Sequence, residues 1–367
     1  TIVVAGAGNF VLNSSNGLDT VRLGDDIPGS FGMDGVAGTF TINNTPSFTT
    51  IIYDDSLSGV PAETTFEVES GYTKITDAGG NRTIRFNNTD VDDVTVLGTP
   101  LDDIYRFIDV ANTTRLSSGW GGDNVFVDNI TSGGTMTVNT DGSEFDELKV
   151  NEGGVGTAQV MVDQNDSVRE ISIGTGGNLT LKQGANVVYE IASSDAWDGI
   201  IDITDNTLLR LDTSFGGPGF LIGQLANGYN GGAWNATSNA IVSSTAASNA
   251  IAGDSVGYAL KPDTSFTTLG GFMLEPSSLI IRYTLQGDAN LDRTVNFADL
   301  LRVAQSYNQN GKSWAQGNFN FDALAKVDFN DVLLLAQKYG VSVMQARRPA
   351  SIGRSILNSR EDDKLFA

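Results

Sequence analysis

Short runs in which every second residue is apolar fill the first half of the chain. Some start at a glycine: Gly38-Thr-Phe40-Thr-Ile42-Asn43, Gly134-Thr-Met136-Thr-Val138-Asn139 and Gly177-Asn-Leu179-Thr-Leu181. Others are led by an aspartate: Gly17-Leu-Asp19-Thr-Val21-Arg-Leu23, Leu101-Asp102-Asp103-Ile104, Gly122-Asp123-Asn-Val125-Phe-Val127 and Phe145-Asp146-Glu147-Leu148-Lys-Val150. A period of two puts alternate side chains on opposite faces, so each run predicts a short half-buried strand. The Asp lines at 102, 123 and 146 stand 21 and 23 residues apart. Strands this short, repeated at that interval between Gly, Asn and Asp turns, predict one β-solenoid coil per repeat over residues 1–192. The rival is a β-sandwich whose hairpins look alike.

Between 193 and 285 the period is lost. Trp197, Phe215, Phe220, Tyr229, Trp234, Phe266 and Phe272 stand there between Gly-rich turns. This stretch reads as a β-rich capping domain over the last coil, whose strand edges would otherwise stay unpaired. Core packing is the expected role of its aromatics, in preference to stacking on sugar rings.

Helical spacing takes over in 286–341. The line Asn296-Phe297-Ala298-Asp299-Leu300-Leu301 through Tyr307 is restated 32 residues later as Asp328-Phe329-Asn330-Asp331-Val332-Leu333 through Tyr339. Each copy predicts a short helix behind a loop rich in side-chain oxygens. In the first loop Asp288, Asn290, Asp292, Asn296 and Asp299 fall at positions 1, 3, 5, 9 and 12, with Thr294 offering its carbonyl at position 7. Those offsets suit a calcium ion, because alternate residues of a tight loop aim their oxygens at one point. Position 6 is Arg293 where such loops carry Gly, and position 12 is Asp where they carry Glu. The second loop supplies Asn318, Asn320, Asp322, Asp328 and Asp331, opens on a neutral ligand and is two residues longer. Polar turns that only cap the helices are the competing reading.

This duplicated motif resembles a type I dockerin domain. Its Phe297-Ala-Asp-Leu-Leu301 and Leu334-Leu-Ala-Gln-Lys-Tyr-Gly340 phrasing is similar to versions found at the C-termini of secreted planctomycete-like β-repeat surface proteins. The lead-in at Gly231-Gly-Ala-Trp-Asn235 and Leu279-Ile-Ile-Arg-Tyr-Thr-Leu285 fits the same pattern. The resemblance covers about one seventh of the chain. It implies an exported, Ca2+-loaded docking module, with a cohesin-like protein as the kind of partner dockerins bind.

Composition narrows the rest. The chain has no Cys and no His, which excludes disulfides, thiolate metal sites and the commonest general base. A net charge of −22 makes nucleic acid a poor partner and divalent cations good ones. No apolar run reaches the ~20 residues of a membrane span. The chain opens at Thr1 inside a strand-like run, so a removed leader and an extracellular or cell-surface location are expected.

Catalysis finds little support. Asp102 with Asp103, and Glu144 with Asp146 and Glu147, are the densest acid pairs outside the loops. Neighbours on a strand point to opposite faces, so the first pair is ill-placed, and all are expected to be solvated turn acids. Asp123, in Ser118-Gly-Trp-Gly-Gly-Asp123, resembles one isolated copy of a calcium-roll repeat, and a turn Asp bonding its own backbone is the favoured reading. The tail 342–367 carries Arg347, Arg348, Arg354, Arg360 and Lys364 on an otherwise acidic protein. It is a candidate connector for head-to-tail assembly of a homo-oligomer or filament; folding back on its own chain, or a sorting signal, is the rival. The expected function is therefore a non-enzymatic extracellular scaffold, adhesin or filament subunit. A secreted carbohydrate-active or carbohydrate-binding protein, with cell-surface polysaccharide as partner, is the alternative.

Overall fold

Alternation becomes pairing in the computed structural model, which describes residues 2–4, 7–13, 17–24, 33, 36–43, 48–131, 133–140, 146–194, 197–211, 218–249 and 253–343. The protein is mainly β. Among the described residues the strands form a ten-stranded and a thirteen-stranded sheet. From Ile104 onward the chain steps between them: Ile104–Phe107, Asn124–Val127, Glu147–Val150 and Asp166–Ile173 lie in the larger sheet, and Thr113–Ser117, Thr135–Asn139, Ala158–Val162 and Gly177–Leu181 in the smaller. From Asn124–Val127 onward each of these strands pairs in parallel with the one two steps earlier. Adjacent turns of the chain therefore stack about 4.8 Å apart.

Inward-facing residues form rows along that stack. Tyr105, Val125, Leu148 and Ile171 are in register on the larger sheet. Met136, Val160, Leu179, Ile201 and Ile241 are in register on the smaller. All nine are buried, and each large aliphatic contributes roughly 1.5–3 kcal/mol by leaving water.

The two sequence phrases do not map one to each sheet. Asp-led strands join the larger sheet from residue 101 onward, yet Leu18–Leu23 lies in the smaller sheet and the Gly-led Gly38–Asn43 in the larger. The phrase marks how a strand is entered, not which sheet it joins. An antiparallel meander, Glu63–Glu69, Tyr72–Asp77 and Arg82–Asn87, interrupts the parallel order between Gly38–Asn43 and Ile104–Phe107. Its first turn is Ser70-Gly71, both at positive φ, as a two-residue hairpin with right-handed strand twist requires.

Parallel pairing runs on past residue 192 to Ala240–Val242. The larger sheet then ends in antiparallel strands, Leu279–Leu285 and Asp254–Leu260. A helix, α1 (Gly219–Tyr229), packs on Ala240–Val242, and a Cβ on Gly228 would sit 1.7 Å from the Ile241 carbonyl oxygen. A second short helix, α2 (Ser244–Ser248), is capped by the Ser243 hydroxyl, which accepts the Ala246 amide. Trp197 and Trp234 are buried, and Phe220 packs against the core, matching the packing role expected of these aromatics.

The acids depart from expectation. Asp103 and Asp146, expected to be solvated, are fully buried, and so is Asp123, expected to bond its own backbone. Asp103 accepts the Ala62 amide at 2.6 Å, Asp123 accepts the Asp103 amide at 2.9 Å, and Asp146 accepts the Asp123 amide at 2.9 Å. Each carboxylate thus bonds the preceding turn of the chain, forming a ladder along the stack, and Asp103 also accepts the Thr99 amide and hydroxyl of its own turn. The aligned residue is Asp103; Asp102 is exposed and accepts the Gly122 amide. Burial pushes Asp123 up to about 8, and burial likewise raises Asp103. Glu144, Phe145 and Phe215 lie outside the described residues, as does the basic tail from Arg347 to Lys364.

Candidate metal centre

The duplicated lines fold as α3 (Phe297–Ser306) and α4 (Phe329–Lys338), which pack on each other. Both begin with the same capping box. Asn296 accepts the Ala298 amide while Asp299 accepts the Asn296 amide, and Asp328 accepts the Asn330 amide while Asp331 accepts the Asp328 amide. Capping and the ligand pattern therefore coexist in the same residues.

Reciprocal close contacts set the loops against the helices. Gly287 precedes the first loop at φ 99°, and a Cβ there would lie 2.7 Å from Leu335 Cα on α4. Gly317 precedes the second loop at φ 104°, and its Cβ would lie 3.0 Å from Val303 Cα on α3. Val303 and Leu335 are equivalent residues of the repeat, so each loop starts against the other copy's helix. Only a residue without a side chain fits there at positive φ.

The first loop gathers its oxygens through its own amides. Asp288 accepts the amides of Asp292 at 3.2 Å and Arg293 at 2.7 Å, and also the Thr284 hydroxyl. Asn290 accepts the Asp292 amide, and Asp292 accepts the Thr294 amide and the Asn290 side-chain amide. The other oxygen of Asp299, at position 12, accepts the amides of Ala289 and Asn290. Backbone bonds to 340–343 use the carbonyls of Arg293 and Val295 on either side of Thr294.

The second loop repeats the scheme despite its insertion. Asp331 accepts the Phe319 amide as Asp299 accepts that of Ala289, while Asn320 accepts the Asp322 amide. The two extra residues are taken up after Asp322, which accepts the amides of Leu324 and Lys326. Asn318, at position 1, is buried with its side-chain oxygen lacking a hydrogen-bond partner. An orphaned buried acceptor costs roughly 1–3 kcal/mol, and a cation at that position would satisfy it.

Electrostatics agree with the donor chemistry. Burial first, with the facing charges of Asp299 and Asp292 behind it, pushes Asp288 up to about 7 against the pull of the Thr284 hydroxyl and the Arg293 amide. Burial raises Asp299 and Asp331 too. Among the described residues no three or more acidic side chains gather to hold a metal alone. A cation here would need the amide oxygens and the Thr294 carbonyl as well, an all-oxygen set suited to a hard ion.

Several contacts that hold the loops have no counterpart in the ligand pattern. Arg293 adopts φ 68° in place of the usual glycine, and its guanidinium donates to the Asp205 carbonyl at 3.2 Å, tying the loop to the β body. Trp314 Nε1 donates to the Asp288 carbonyl at 2.7 Å. Gly257 on the last antiparallel strand leaves room for that indole, since a Cβ would come within 2.4 Å of it. Phe321 of the second loop joins Tyr229, Trp234, Tyr258 and Trp314 in one aromatic cluster. No family model, curated protein or solved structure matches the chain.

Proposed function

We propose that this chain is an extracellular structural protein: a β-solenoid body that carries a calcium-loaded, dockerin-like docking module and no catalytic centre. The observation that carries the docking role is a matched surface. Phe297 and Phe329 are 65% and 66% exposed, Leu301 and Leu333 46% and 45%, Tyr307 and Tyr339 49% and 51%. These are three equivalent pairs of the repeat, while the equivalent Val303 and Leu335 are buried. Large apolar side chains kept in water at the same places in both copies suit a surface that closes on a partner.

Calcium would be held by Asp288, Asn290, Asp292, Thr294, Asn296 and Asp299 in the first loop and by Asn318, Asn320, Asp322, Asp328 and Asp331 in the second. Bound there, it supplies positive charge that lets the facing carboxylates ionise together. The chain's own residues then hold the helices: the capping boxes fix their starts, and Gly287 and Gly317 let each loop seat on the opposite helix. Solenoid coils supply the stalk, since stacked parallel strands extend by repetition. Head-to-tail assembly through the basic tail is supported by its charge against the acidic chain.

Photo-crosslinking in the producing cells tests the docking role. A benzoylphenylalanine at Phe297, and separately at Phe329, should trap the same extracellular or cell-surface partner, and chelation should abolish both adducts. Adducts at neither position, or adducts indifferent to chelator, contradict the proposal.

A further inference from the structure

Three of the four tryptophans, Trp197, Trp234 and Trp314, are at most 1% exposed; the fourth, Trp120, is 73% exposed. It stands beside an open cleft of about 350 Å³ that Pro100, Leu97, Ser56 and Ser117 also line. The cleft spans three successive turns. Ser56 follows the strand Phe48–Asp54, Pro100 follows Val91–Leu97, and Trp120 follows Thr113–Ser117, and these strands are consecutive neighbours in the ten-stranded sheet. Turns stacked at strand spacing make a surface about 10 Å long.

Its floor is bare, rigid backbone. A Cβ on Gly98 would lie 1.7 Å from the Ser118 carbonyl oxygen, and one on Gly119, at φ 96°, would lie 1.9 Å from that of Thr99. Thr99 is fixed by its own bonds to the buried Asp103. Backbone held in place in this way lowers the cost of binding by preorganisation.

All eight lining residues are uncharged on a chain of net charge −22. A charged ligand finds no counter-charge here, and an anionic one is repelled by the protein as a whole. What suits the cleft is a neutral, rigid molecule with one apolar face for the indole and hydroxyls at its edges for Ser56 and Ser117. We infer that the Trp120 cleft is a binding site for neutral pyranose units of a polysaccharide, the C–H face of a ring stacking on the indole. A site with one stacking residue and two or so rings of ligand binds weakly, with a dissociation constant on the order of a millimolar. Many copies of the chain along a surface would raise that by avidity.

Tryptophan emission reports the event, because the other three indoles are already buried. The full chain with calcium is titrated with neutral hexasaccharides of glucose, xylose, mannose and galactose. At least one should give the wild type a saturable blue shift, and calorimetric titration, which needs no indole, should show the affinity for that sugar weakened about tenfold or more in Trp120→Ala and unchanged in Val155→Ala, an exposed apolar residue of a different cleft. Circular dichroism checks that both variants fold. Absence of a saturable response to any of the four sugars at tens of millimolar, or a calorimetric affinity that survives Trp120→Ala, overturns the inference. A blue shift that follows protein concentration and not sugar assigns the cleft to a second copy of the chain and overturns it as well.

Discussion

Replacing Asp123 by Asn should stabilise the protein at neutral pH and leave it unchanged in acid. Asp123 is fully buried, its Oδ1 accepts the Asp103 amide at 2.9 Å, and the Ser118 hydroxyl lies beside the carboxylate. An Asn side chain has nearly the same shape and keeps the Oδ1 acceptor. Burial, aided by the charges of Asp103 and Asp146, raises Asp123 from 3.8 to about 8. The folded chain therefore keeps this proton between about pH 4 and pH 8 while the unfolded chain has released it. Since stability falls with pH wherever the native state binds more protons, the wild type loses about 1.4 kcal/mol per pH unit across that window. The loss levels off above pH 8. At pH 7 the difference between Asp123→Asn and wild type comes to about 4 kcal/mol in favour of the variant. Asp103 and Asp166 are raised as well, so the wild-type slope is a sum; the difference between the two proteins isolates Asp123. Urea unfolding at pH 4, 5, 6, 7 and 8 with calcium held in excess gives both curves. They should meet near pH 4 and separate steadily above it. A variant less stable by the same amount at every pH would refute the reasoning, because the acceptor geometry and not the proton would then carry the effect.

Calcium at a hundred times its dissociation constant should raise stability by about 2.7 kcal/mol per site, so excess chelator should lower the calorimetric melting temperature; an unchanged melting temperature counts against both loops. Gly287→Ala, which places a Cβ 2.7 Å from Leu335 Cα at φ 99°, should cost about 1–3 kcal/mol by denaturant titration. Gly340→Ala, also at positive φ but with open space around it, should cost less, and equal costs would contradict the reciprocal packing. Trp314→Phe removes the donor to the buried Asp288 carbonyl and should cost about 1–3 kcal/mol, with faster amide exchange in the first loop as the specific readout.

The period-two runs at residues 17–23, 38–43, 122–127, 134–139, 146–150 and 177–181 fall on strands because burial of alternate side chains is a local property of a strand. Topology is not local, so Gly38–Asn43 and Leu18–Leu23 resemble later strands yet sit in the opposite sheets, and the meander from Glu63 to Asn87 reads like any other hairpin. The helix α1 is hidden for a different reason. Its sequence Gly219-Phe-Leu-Ile-Gly-Gln-Leu-Ala-Asn-Gly-Tyr229 holds three glycines and has poor intrinsic helicity. Close packing against Ile241 selects it, and Gly228 is there to permit that approach. An Asp in a Gly-rich turn is usually solvated, as expected of Asp103 and Asp146, or bonds its own backbone, as expected of Asp123; the amides that these three accept from the preceding turn of the chain are not located by spacing alone. In the loop-helix module the ligand offsets and capping residues are legible because they lie within a dozen residues of each other. The anchors are not, since Arg293 reaches Asp205 and Gly287 meets Leu335 across long stretches of chain.

Native mass spectrometry of the full chain in calcium tests the central claim most directly. Two calcium ions per chain are expected, with one remaining in Asp288→Ala, one remaining in Asp331→Ala, and none in the double variant. A wild-type chain that carries no calcium while its helices stay folded would contradict it, and so would two ions retained in the double variant.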